Sequence, residues 1–395
     1  MGLDGQHRRV VIPSRPGAAA GAVCSDTVKP PRCPVQHHCG GCPLLPLPVD
    51  EQHRIKRARV EAAMRAAIGQ MAALAPPRMV ASYSEGYRRR LRMRVGADGW
   101  LGYFNEDKSP HCLVLHPSLR EAMSRLRQVM HTLPRLSAAT LYLEVRAPAL
   151  CGRPAVYVKL RSEGAIKLLL PLRKLLPRWL LGCQFTAPMP YQRVELGNVY
   201  GYVPIDSFAQ IHAETNGLLI AAVVSGARQR VRADSCDVGT FCDLYAGSGN
   251  FSLPLAGAGF TGHAVELQMG AVAALRRAAQ EQSLALSVYA ADARTSADEW
   301  GLPRRGFSLL VANPPRAGLR HGYRAVAAIA AEHVALVCCD AESIARDVAN
   351  LFSRGYVLDQ LICFDMFPHT QHVEVLAWLR RAAPYGRAPR GNGGC

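Results

Sequence analysis

The sequence predicts an α/β fold, and three observations support this prediction. From about residue 205 onward, short apolar runs alternate with stretches of helical periodicity, which is typical of a parallel sheet covered by helices. One of these runs leads into a glycine turn, Gly247-Ser248-Gly249. Four segments also join an apolar run to a polar turn: 243–255, 310–319, 336–347 and 364–376. Because ligands bind beyond the carboxyl ends of parallel strands, we expect these turns to form one site at one sheet edge.

Size, composition and charge narrow the class of protein. The chain has 395 residues, of which 49% are hydrophobic, which is enough for two or three globular domains. Its formal net charge of +17 favours a polyanionic partner, with nucleic acid ahead of an anionic membrane. No apolar run approaches the ~20 residues of a membrane-spanning helix, so we expect a cytoplasmic protein that binds no membrane and acts as a monomer. Thirteen cysteines, an odd number, argue against a disulfide framework.

The chain is predicted to contain five segments. Both ends lack hydrophobic periodicity and are predicted to be flexible tails. Between them, a cysteine loop and a basic helix precede a region of alternating strands, and βα alternation fills the rest. The boundaries are a basic tail at 1–30, the cysteine loop and helix at 31–80, a central β-rich domain at 81–204, the α/β domain at 205–382 and a tail at 383–395.

Three cysteines near the N-terminus indicate a metal site. Cys33, Cys39 and Cys42 form a C-x5-C-x2-C run, and the two glycines inside it let the backbone fold tightly. Thiols this close together are rarely core packing, and their spacing leaves zinc and iron–sulfur both open. A fourth ligand must come from elsewhere in the chain, and the candidates are Cys112 and His116.

A basic helix is predicted directly after the cysteine loop. Within residues 49–68, apolar side chains recur at helical spacing from Ile55 to Ile68, and Asp50 could cap the start. The opposite face is either solvated or directed at phosphate. Its basic residues are Arg54, Lys56, Arg57, Arg59 and Arg65.

An arginine-rich strand is predicted next, at residues 87–95. Apolar residues alternate there with Arg90, Arg92 and Arg94, so a strand would bury one row and expose a row of guanidinium groups. These charges repel one another unless an anion lies nearby, which favours phosphate binding and hence an RNA-binding role for the central domain. Further alternating runs predict an antiparallel or mixed sheet, at 141–146 and 155–161.

Strand ends in the α/β half carry the polar residues of the predicted site. Gln210 stands near the start of a helix, one strand ends at Glu266, the next ends near Asp292, and a third is stopped by Asn313 and two prolines. Glycines before Glu266 permit close approach of a ligand to the backbone, and its carboxylate can hold ribose hydroxyls. This pattern does not distinguish a dinucleotide from S-adenosylmethionine.

Together, these motifs resemble those of the RNA uracil-C5 methyltransferase family. DLYAGSGNFSLPLA resembles its first adenosylmethionine motif, NPPRAG its strand-4 tip, CCDAESIARD its nucleophile segment and DMFPHTQHVE its general-base segment. The C-x5-C-G-G-C run resembles its iron–sulfur site, followed at the family's spacing by Gln52, Lys56 and Val60. YRRRLRMRV resembles its central-domain entry. Matches in the same order from about residue 33 to 381 make the resemblance specific.

The resemblance implies a fold, a reaction and a set of residues. The fold would be a class I, Rossmann-like methyltransferase domain with a β-rich RNA-binding domain and an N-terminal loop holding a 4Fe-4S cluster. The reaction would be methylation of uracil C5 in RNA by S-adenosylmethionine. Cys339 would be the nucleophile and Glu374 the base that removes the C5 proton. The residues expected to bind cofactor or line the site are Gln210, Tyr245, Asn250, Glu266, Asp292 and Asn313.

The sequence also departs from the family pattern. Many members have Asp where Asn313 stands, and the Asn form resembles the ribosomal-RNA branch without an N-terminal TRAM domain, which we expect to be absent here. Ribosomal RNA is therefore favoured over transfer RNA. The family's Ser-Cys-Asn reads Cys338, Cys339 and Asp340 in this chain. His116 stands where the fourth cluster cysteine is expected, so the last ligand is either His116 or a nearby cysteine.

The implied chemistry explains these residue types. Uracil C5 is a poor nucleophile until a thiolate adds to C6, and a base must then remove the C5 hydrogen so that elimination frees the cysteine. Cys338 fits a small buried hydrophobe better than a nucleophile. A reachable target base requires unpaired RNA or base flipping.

Two rival functions use the same sequence differently. An amino-group methyltransferase could use Asn313 and its prolines against an exocyclic nitrogen, and would need neither Cys339 nor Glu374. A nonenzymatic metal-cluster protein could bind nucleic acid with a degenerate Rossmann half, although Glu266 and Asn250 argue against degeneracy.

Overall fold

The structure is a computed structural model that describes eight segments of the chain: 33–34, 36–69, 75–102, 112–148, 152–234, 239–295, 297–302 and 306–382. The predicted tails at 1–30 and 383–395 lie outside the described residues. The described segments form an eight-stranded sheet, a five-stranded sheet and a two-stranded ribbon, with helices packed around them.

Strands and helices are numbered in chain order. The strands are β1 (Arg78–Val80), β2 (Arg90–Val95), β3 (Leu101–Gly102), β4 (Thr140–Arg146), β5 (Ala155–Leu160), β6 (Leu180–Cys183), β7 (Tyr191–Leu196), β8 (Val199–Pro204), β9 (Thr240–Leu244), β10 (Thr261–Glu266), β11 (Leu286–Ala290), β12 (Leu309–Ala312), β13 (His333–Cys338), β14 (Tyr356–Phe364) and β15 (Glu374–Arg381). The helices are α1 (Gln36–Cys39), α2 (Val49–Ile68), α3 (Pro117–His131), α4 (Pro134–Ala139), α5 (Leu169–Leu175), α6 (Ala213–Asp234), α7 (Ser252–Gly257), α8 (Met269–Glu281), α9 (Tyr323–Ile329) and α10 (Ala341–Phe352). None of the helices in the described segments has the length and apolar character needed to cross a bilayer.

The large sheet confirms the predicted α/β class. Its strand order is β1-β14-β15-β13-β12-β9-β10-β11, and every neighbouring pair is parallel except the two made by β15. The central strands β12 and β13 read as continuous apolar runs because helices cover both faces of the sheet, and all their residues are buried. The carboxyl ends of β9, β10, β12 and β13 therefore lie along one edge.

The five-stranded sheet has the mixed pattern expected of the central region. Its order is β3-β2-β4-β5-β6, with antiparallel pairs except β5 and β6. As predicted, Leu91 and Met93 of β2 are buried, and α3 packs the apolar face of the sheet. The ribbon β7–β8 packs on α8, where the Tyr202 hydroxyl donates to Glu281 Oε2 at 2.7 Å.

Two arginines of β2, Arg90 and Arg92, form ion pairs with a glutamate of the same sheet. The register places Arg92 opposite Glu144 of β4, whose side chain is only 3% exposed. Glu144 accepts from Arg90 Nε at 2.7 Å and from Arg92 Nη2 at 3.2 Å. The repulsion expected between Arg90 and Arg92 is thus relieved by a buried carboxylate.

Helix α2 departs from its predicted orientation. Val60 and Met64 are buried as predicted, but Lys56, assigned to the basic face, is fully buried as well. Its partner, Asp365, is more than three hundred residues away in sequence, so local periodicity could not reveal the pair. The predicted cap was also wrong: the helix begins at Val49, and no side chain caps it.

Candidate active site

Three predicted site residues lie at the same edge of the large sheet. Asn313 follows β12, and its backbone N–H donates to Leu244 O at 3.4 Å at the end of β9. Cys339 follows β13, while Glu374 begins β15. Because β15 is antiparallel to β13 with Cys338 opposite Val375, the next pair places Cys339 beside Glu374. The sheet therefore brings together two side chains that are 35 positions apart.

Cys338 and Cys339 have different surroundings. Cys338 is the last residue of β13 and only 3% exposed, whereas Cys339 is half-buried at the strand end. Burial raises the pKa of the Cys339 thiol, and the neighbouring Glu374 raises it further. Arg316 opposes both effects by its charge and by a hydrogen bond to the Cys339 side chain. Of these two cysteines, Cys339 is the one whose side chain is both accessible and next to a cation. A nucleophilic thiolate requires both.

Glu374 has the environment of a proton acceptor. It is 2% exposed, and burial raises the pKa of its carboxyl to about 7. A carboxylate in water is a weak base, and desolvation makes it a stronger one whose proton affinity suits neutral pH. With a thiol beside it, Glu374 can take a proton from an atom of a ligand held at this edge.

Asp340 stands where the family pattern has Asn, and its side chain has a structural role. Its Oδ1 accepts from Ser343 N at 2.9 Å and caps α10. Arg59 of α2 lies 3.8 Å from Asp340 Oδ2 and 2.8 Å from Glu342 Oε2. An Asn could make the cap but not the ion pair, so the Asp form gains a link between α10 and α2.

The glycine turn after β9 has the shape of a ligand-binding loop. Gly247 and Gly249 have φ of +56° and +92°, in the region that favours glycine. A Cβ atom at Gly247 would meet nothing within 4 Å, so open space lies in front of the turn. Glu266 accepts from Gly247 N at 2.8 Å and from Gln268 N at 2.7 Å. Each oxygen retains a lone pair that could accept from a ribose hydroxyl.

Asn250 is held by a residue that the sequence patterns missed. Its Oδ1 accepts from Asn216 Nδ2 at 2.8 Å, and its Nδ2 donates to Asn216 Oδ1 at 3.0 Å. This amide pair ties α6 to the glycine turn. Nearby, Ser252 Oγ donates to the buried Asp243. Burial raises the pKa of Asp243 to about 7.

The other residues predicted to bind the cofactor are Tyr245, Asp292 and Gln210, and each has different contacts. The Tyr245 hydroxyl donates to Leu319 O at 3.3 Å, in the loop after β12. Burial raises the Tyr245 pKa to about 12, and the charge of Asp292 contributes to the rise. Asp292 itself bonds Arg294 Nη2 at 2.6 Å. Gln210 is half-buried in the segment between β8 and α6.

A cluster of contacts between α2 and the segment before β15 was not predicted as a unit. We call it the α2 clamp: Gln52, His53 and Lys56 against Asp365 and His369. Lys56 Nζ donates to Asp365 Oδ1 at 2.5 Å, and His53 Nε2 lies 3.0 Å from Asp365 Oδ2. Gln52 Oε1 accepts from His369 N at 3.0 Å. The available signal was the spacing of Gln52 and Lys56, which puts both on one helical face.

The predicted metal ligands are partly brought together. Burial raises the pKa of Cys42 to about 12, and the charges of Cys112, Cys39 and Cys33 contribute in that order. His116 instead caps α3, where its Nδ1 accepts from Ser118 N at 3.2 Å. Among the described residues, no three His, Cys, Asp or Glu side chains are arranged closely enough to hold a metal ion.

Comparison with known proteins identifies relatives of this arrangement. A family model described as tRNA (uracil-5-)-methyltransferase matches residues 197–382, which include β9 to β15. The chain is 28% identical to a 23S rRNA (uracil(1939)-C(5))-methyltransferase RlmD of Edwardsiella ictaluri, over 89% of this chain and 82% of that protein. It is 28% identical to the RlmD of Alkalilimnicola ehrlichii, over 96% of this chain and 91% of that protein.

A solved structure is similar in fold. The tRNA (uracil-54, C5)-methyltransferase of Pyrococcus abyssi, in complex with S-adenosyl-L-homocysteine, superposes with a TM-score of 0.67. The superposition covers 86% of this chain and 85% of that one, at 22% identity. The α/β methyltransferase fold is therefore shared. Residues 197–382 are therefore similar to the tRNA (uracil-5-)-methyltransferase family, and most of the chain is similar to the RlmD relatives.

Proposed function

We propose that this protein transfers the methyl group of S-adenosylmethionine to C5 of uracil in RNA, with 23S ribosomal RNA as the favoured substrate. The observation that carries the proposal is the pairing of Cys339 with Glu374 at the sheet edge. The RlmD relatives, named for methylating uracil in 23S rRNA, support the choice of substrate.

Cys339 and Glu374 divide the chemistry between them. The Cys339 thiolate adds to C6, which forms a carbon–sulfur bond and makes C5 enolate-like. When bound, S-adenosylmethionine would supply the methyl group for C5 from its sulfonium and would leave as S-adenosylhomocysteine. The Glu374 carboxylate then accepts the C5 proton, the carbon–sulfur bond breaks and Cys339 leaves as a thiolate. Arg316 favours the thiolate at the first and last steps.

Several residues would hold S-adenosylmethionine. Open space before Gly247 allows close approach of the ligand, and the free lone pairs of Glu266 suit ribose hydroxyls. Tyr245 and Asp292 lie near each other beside the turn, while Asn250 is oriented by its amide pair. We assign Asn313, at the β12 tip, and Gln210 to the lining of the same site.

An iron–sulfur cluster is the second proposed cofactor. Burial raises the pKa of Cys42 and of Cys112, and Cys39 and Cys33 raise both further, so a bound metal cluster would favour thiolates that are otherwise disfavoured here. Cys112 is the better fourth ligand, because it raises the pKa of Cys42 and has its own pKa raised by Cys39 and Cys33, whereas His116 uses Nδ1 to cap α3. The cluster would stabilise the segment before α2, since the methyl transfer needs no electron.

The remaining segments are assigned to RNA binding. A net charge of +17 suits an RNA partner, and the β-rich segment at 81–204 contributes much of the basic surface. We propose that this segment acts as a domain, with 31–80 holding the cluster and 205–382 the methyltransferase. We expect the protein to act as a monomer.

The test is methylation of defined RNA. The protein is incubated with methyl-labelled S-adenosylmethionine and unmodified 23S rRNA, and the RNA is digested to nucleosides. We expect labelled 5-methyluridine, with transfer RNA transcripts as the competing substrate in a parallel reaction. Label in an exocyclic amino group would favour the rival built on Asn313, and label only in transfer RNA would reassign the substrate.

A further inference from the structure

A cavity of about 560 Å³ opens on the surface between the loop after β12 and α10. Its lining is dominated by three guanidinium groups and an imidazole, from Arg316, Arg320, Arg346 and His321. The rest of the lining is Ala317, Tyr323, Ser343 and Asn350. The lining residues come from the α/β half and are separate from the arginine strand β2.

The positive charge in this cavity is offset at Arg346, which is paired with Asp347, but not at Arg316 or Arg320 among the described residues. Asp347 is the acidic group beneath it and is fully buried. Its oxygens already accept from the Tyr323 hydroxyl at 2.5 Å and from Leu319 N at 2.8 Å, and Arg346 Nε is 3.8 Å away. Within the described part of the chain, neither Arg316 nor Arg320 forms an ion pair. Such guanidinium groups suit a planar or tetrahedral oxyanion.

The backbone holds one of these arginines in an unusual conformation. Arg320 has φ of +46°, in the left-handed region that is unfavourable for a residue with a side chain. The hydrogen bond from Gly322 N to Leu319 O, at 2.7 Å, closes the turn around it. Strain of this kind persists where the surroundings fix it, and it concentrates at binding sites.

The cavity adjoins the nucleophile. Arg316 lines it and also hydrogen-bonds the Cys339 side chain, while Ser343 Oγ donates to Arg316 O at 2.7 Å. A uridine whose base reached Cys339 would carry its backbone past this opening. We propose that the cavity binds the phosphates of the nucleotides next to the target uridine and thereby holds the RNA strand at the site. This inference rests on the proposed function.

The test compares two exposed arginines of the full-length protein. Arg320→Gln removes a charge from the cavity, whereas Arg324→Gln removes one from α9 without touching the lining. The probe is a fluorescently labelled single-stranded RNA with one uridine, titrated by anisotropy over a range of salt concentrations. We expect Arg320→Gln to weaken binding about tenfold. The slope of log affinity against log salt should fall by about 0.7.

Three controls distinguish loss of phosphate binding from loss of folding and from loss of S-adenosylmethionine binding. Arg320→Lys should restore most of the salt slope, because charge is retained, and both Gln variants should unfold at the wild-type temperature. S-adenosylmethionine affinity should not change. An unchanged salt slope in Arg320→Gln, an equal loss in Arg324→Gln, or a loss of cofactor affinity instead of RNA affinity would each overturn the assignment.

The outcome is distinguishable from failure of the proposed function. If the wild type forms 5-methyluridine and Arg320→Gln keeps the full salt slope, only the phosphate site is wrong. If the slope falls but no 5-methyluridine forms, the cavity binds RNA phosphate and the assigned reaction is wrong.

Discussion

At the residue scale, Cys338 and Cys339 provide a natural comparison within one strand end. Successive side chains of a strand point to opposite faces, which places Cys338 in the core and Cys339 toward Arg316. We expect Cys339→Ala to abolish methylation and covalent trapping by RNA containing 5-fluorouridine, while S-adenosylmethionine still binds. Cys338→Ala should remain active. A denaturing gel with labelled RNA checks both, and an adduct that survives Cys339→Ala but not Cys338→Ala would exchange their roles.

Glu374 should act after the methyl group has been transferred. In Glu374→Gln, Cys339 can still add to C6, but no base removes the C5 proton, so elimination cannot occur. We expect a covalent protein–RNA adduct to accumulate with natural RNA and S-adenosylmethionine. The adduct should be absent from the double variant with Cys339→Ala. Normal turnover by Glu374→Gln would assign the proton transfer to another group.

The burial of Glu374 also predicts a dependence on pH. Its pKa rises from 4.5 to about 7 in the folded protein, so the carboxylate that accepts the proton is populated only as pH rises through about 7. We expect the single-turnover methylation rate of the wild type to rise over that range. The raised thiol pKa of Cys339 acts in the same direction. A rate that falls with rising pH would contradict this assignment.

The same group should lower stability at higher pH. A carboxyl with a raised pKa in the folded state favours folding while it is protonated, and that contribution is lost between pH 4.5 and about 7. The rise of about 2.5 pH units corresponds to about 3 kcal/mol. We therefore expect Glu374→Gln to unfold at higher urea concentration than the wild type above pH 7, with no such difference at pH 4.5. Equal stability across this range would mean that the carboxyl is solvated.

At the element scale, the α2 clamp fixes the segment from which Glu374 enters the sheet. Burial raises the pKa of Asp365, but hydrogen bonding from His53 and the charge of Lys56 outweigh it and keep the carboxyl ionised. Lys56→Met leaves the buried Asp365 carboxylate without its ammonium partner and with only the bond to His53, which should cost about 3 kcal/mol in the free energy of unfolding. Denaturant unfolding measures the loss.

Matched variants distinguish the stability lost with the α2 clamp from a general effect of removing a positive charge. Arg54→Met removes an exposed member of α2 and should change stability by less than 1 kcal/mol. Lys56→Met with Asp365→Leu should recover most of the loss, because neither charge then remains buried. A double variant as unstable as the single one would show that Lys56 acts through packing instead.

Sequence periodicity predicted the elements well where the signal was local. The runs of β12 and β13 and the alternation of β2 follow directly from apolar spacing, whereas β4 is a strand as predicted but ends in four consecutive buried residues. The antiparallel position of β15 between β13 and β14 was not predictable in this way, because pairing of distant strands leaves no local periodicity. Lys56 was misassigned for the same reason, since its basic side chain satisfies a distant carboxylate.

At the scale of the whole molecule, the arginine side chains differ in what they contact. Arg90 and Arg92 are occupied by Glu144, whereas Arg316 and Arg320 face an open cavity. Residue type alone could not separate these two groups. Predicted site residues did converge where strand order required it, as with Cys339 and Glu374. The partners that orient them, Asn216 and Arg316, have no distinctive spacing, so only the fold reveals them.

The proposed cluster would join the segment before α2 to the segment between β3 and α3, and its loss should affect the whole molecule. We expect anaerobically purified protein to be brown, with iron and sulfide bound by Cys33, Cys39, Cys42 and Cys112. Cys112→Ser should lose colour and iron, lower the melting temperature and weaken RNA binding, because the loop before α2 is no longer fixed.

His116→Ala is the control that identifies the fourth ligand. It removes only the cap of α3, which is worth about 1 kcal/mol, so iron content and the visible spectrum should match the wild type. Iron analysis, absorption spectra and thermal unfolding of both variants distinguish the ligands. Loss of iron in His116→Ala with retention in Cys112→Ser would reverse the assignment, and colourless protein with stoichiometric zinc would replace the cluster with a zinc site. S-adenosylmethionine binding should persist in either variant. The glycine turn and Glu266 lie in the α/β half and are held by their own hydrogen bonds.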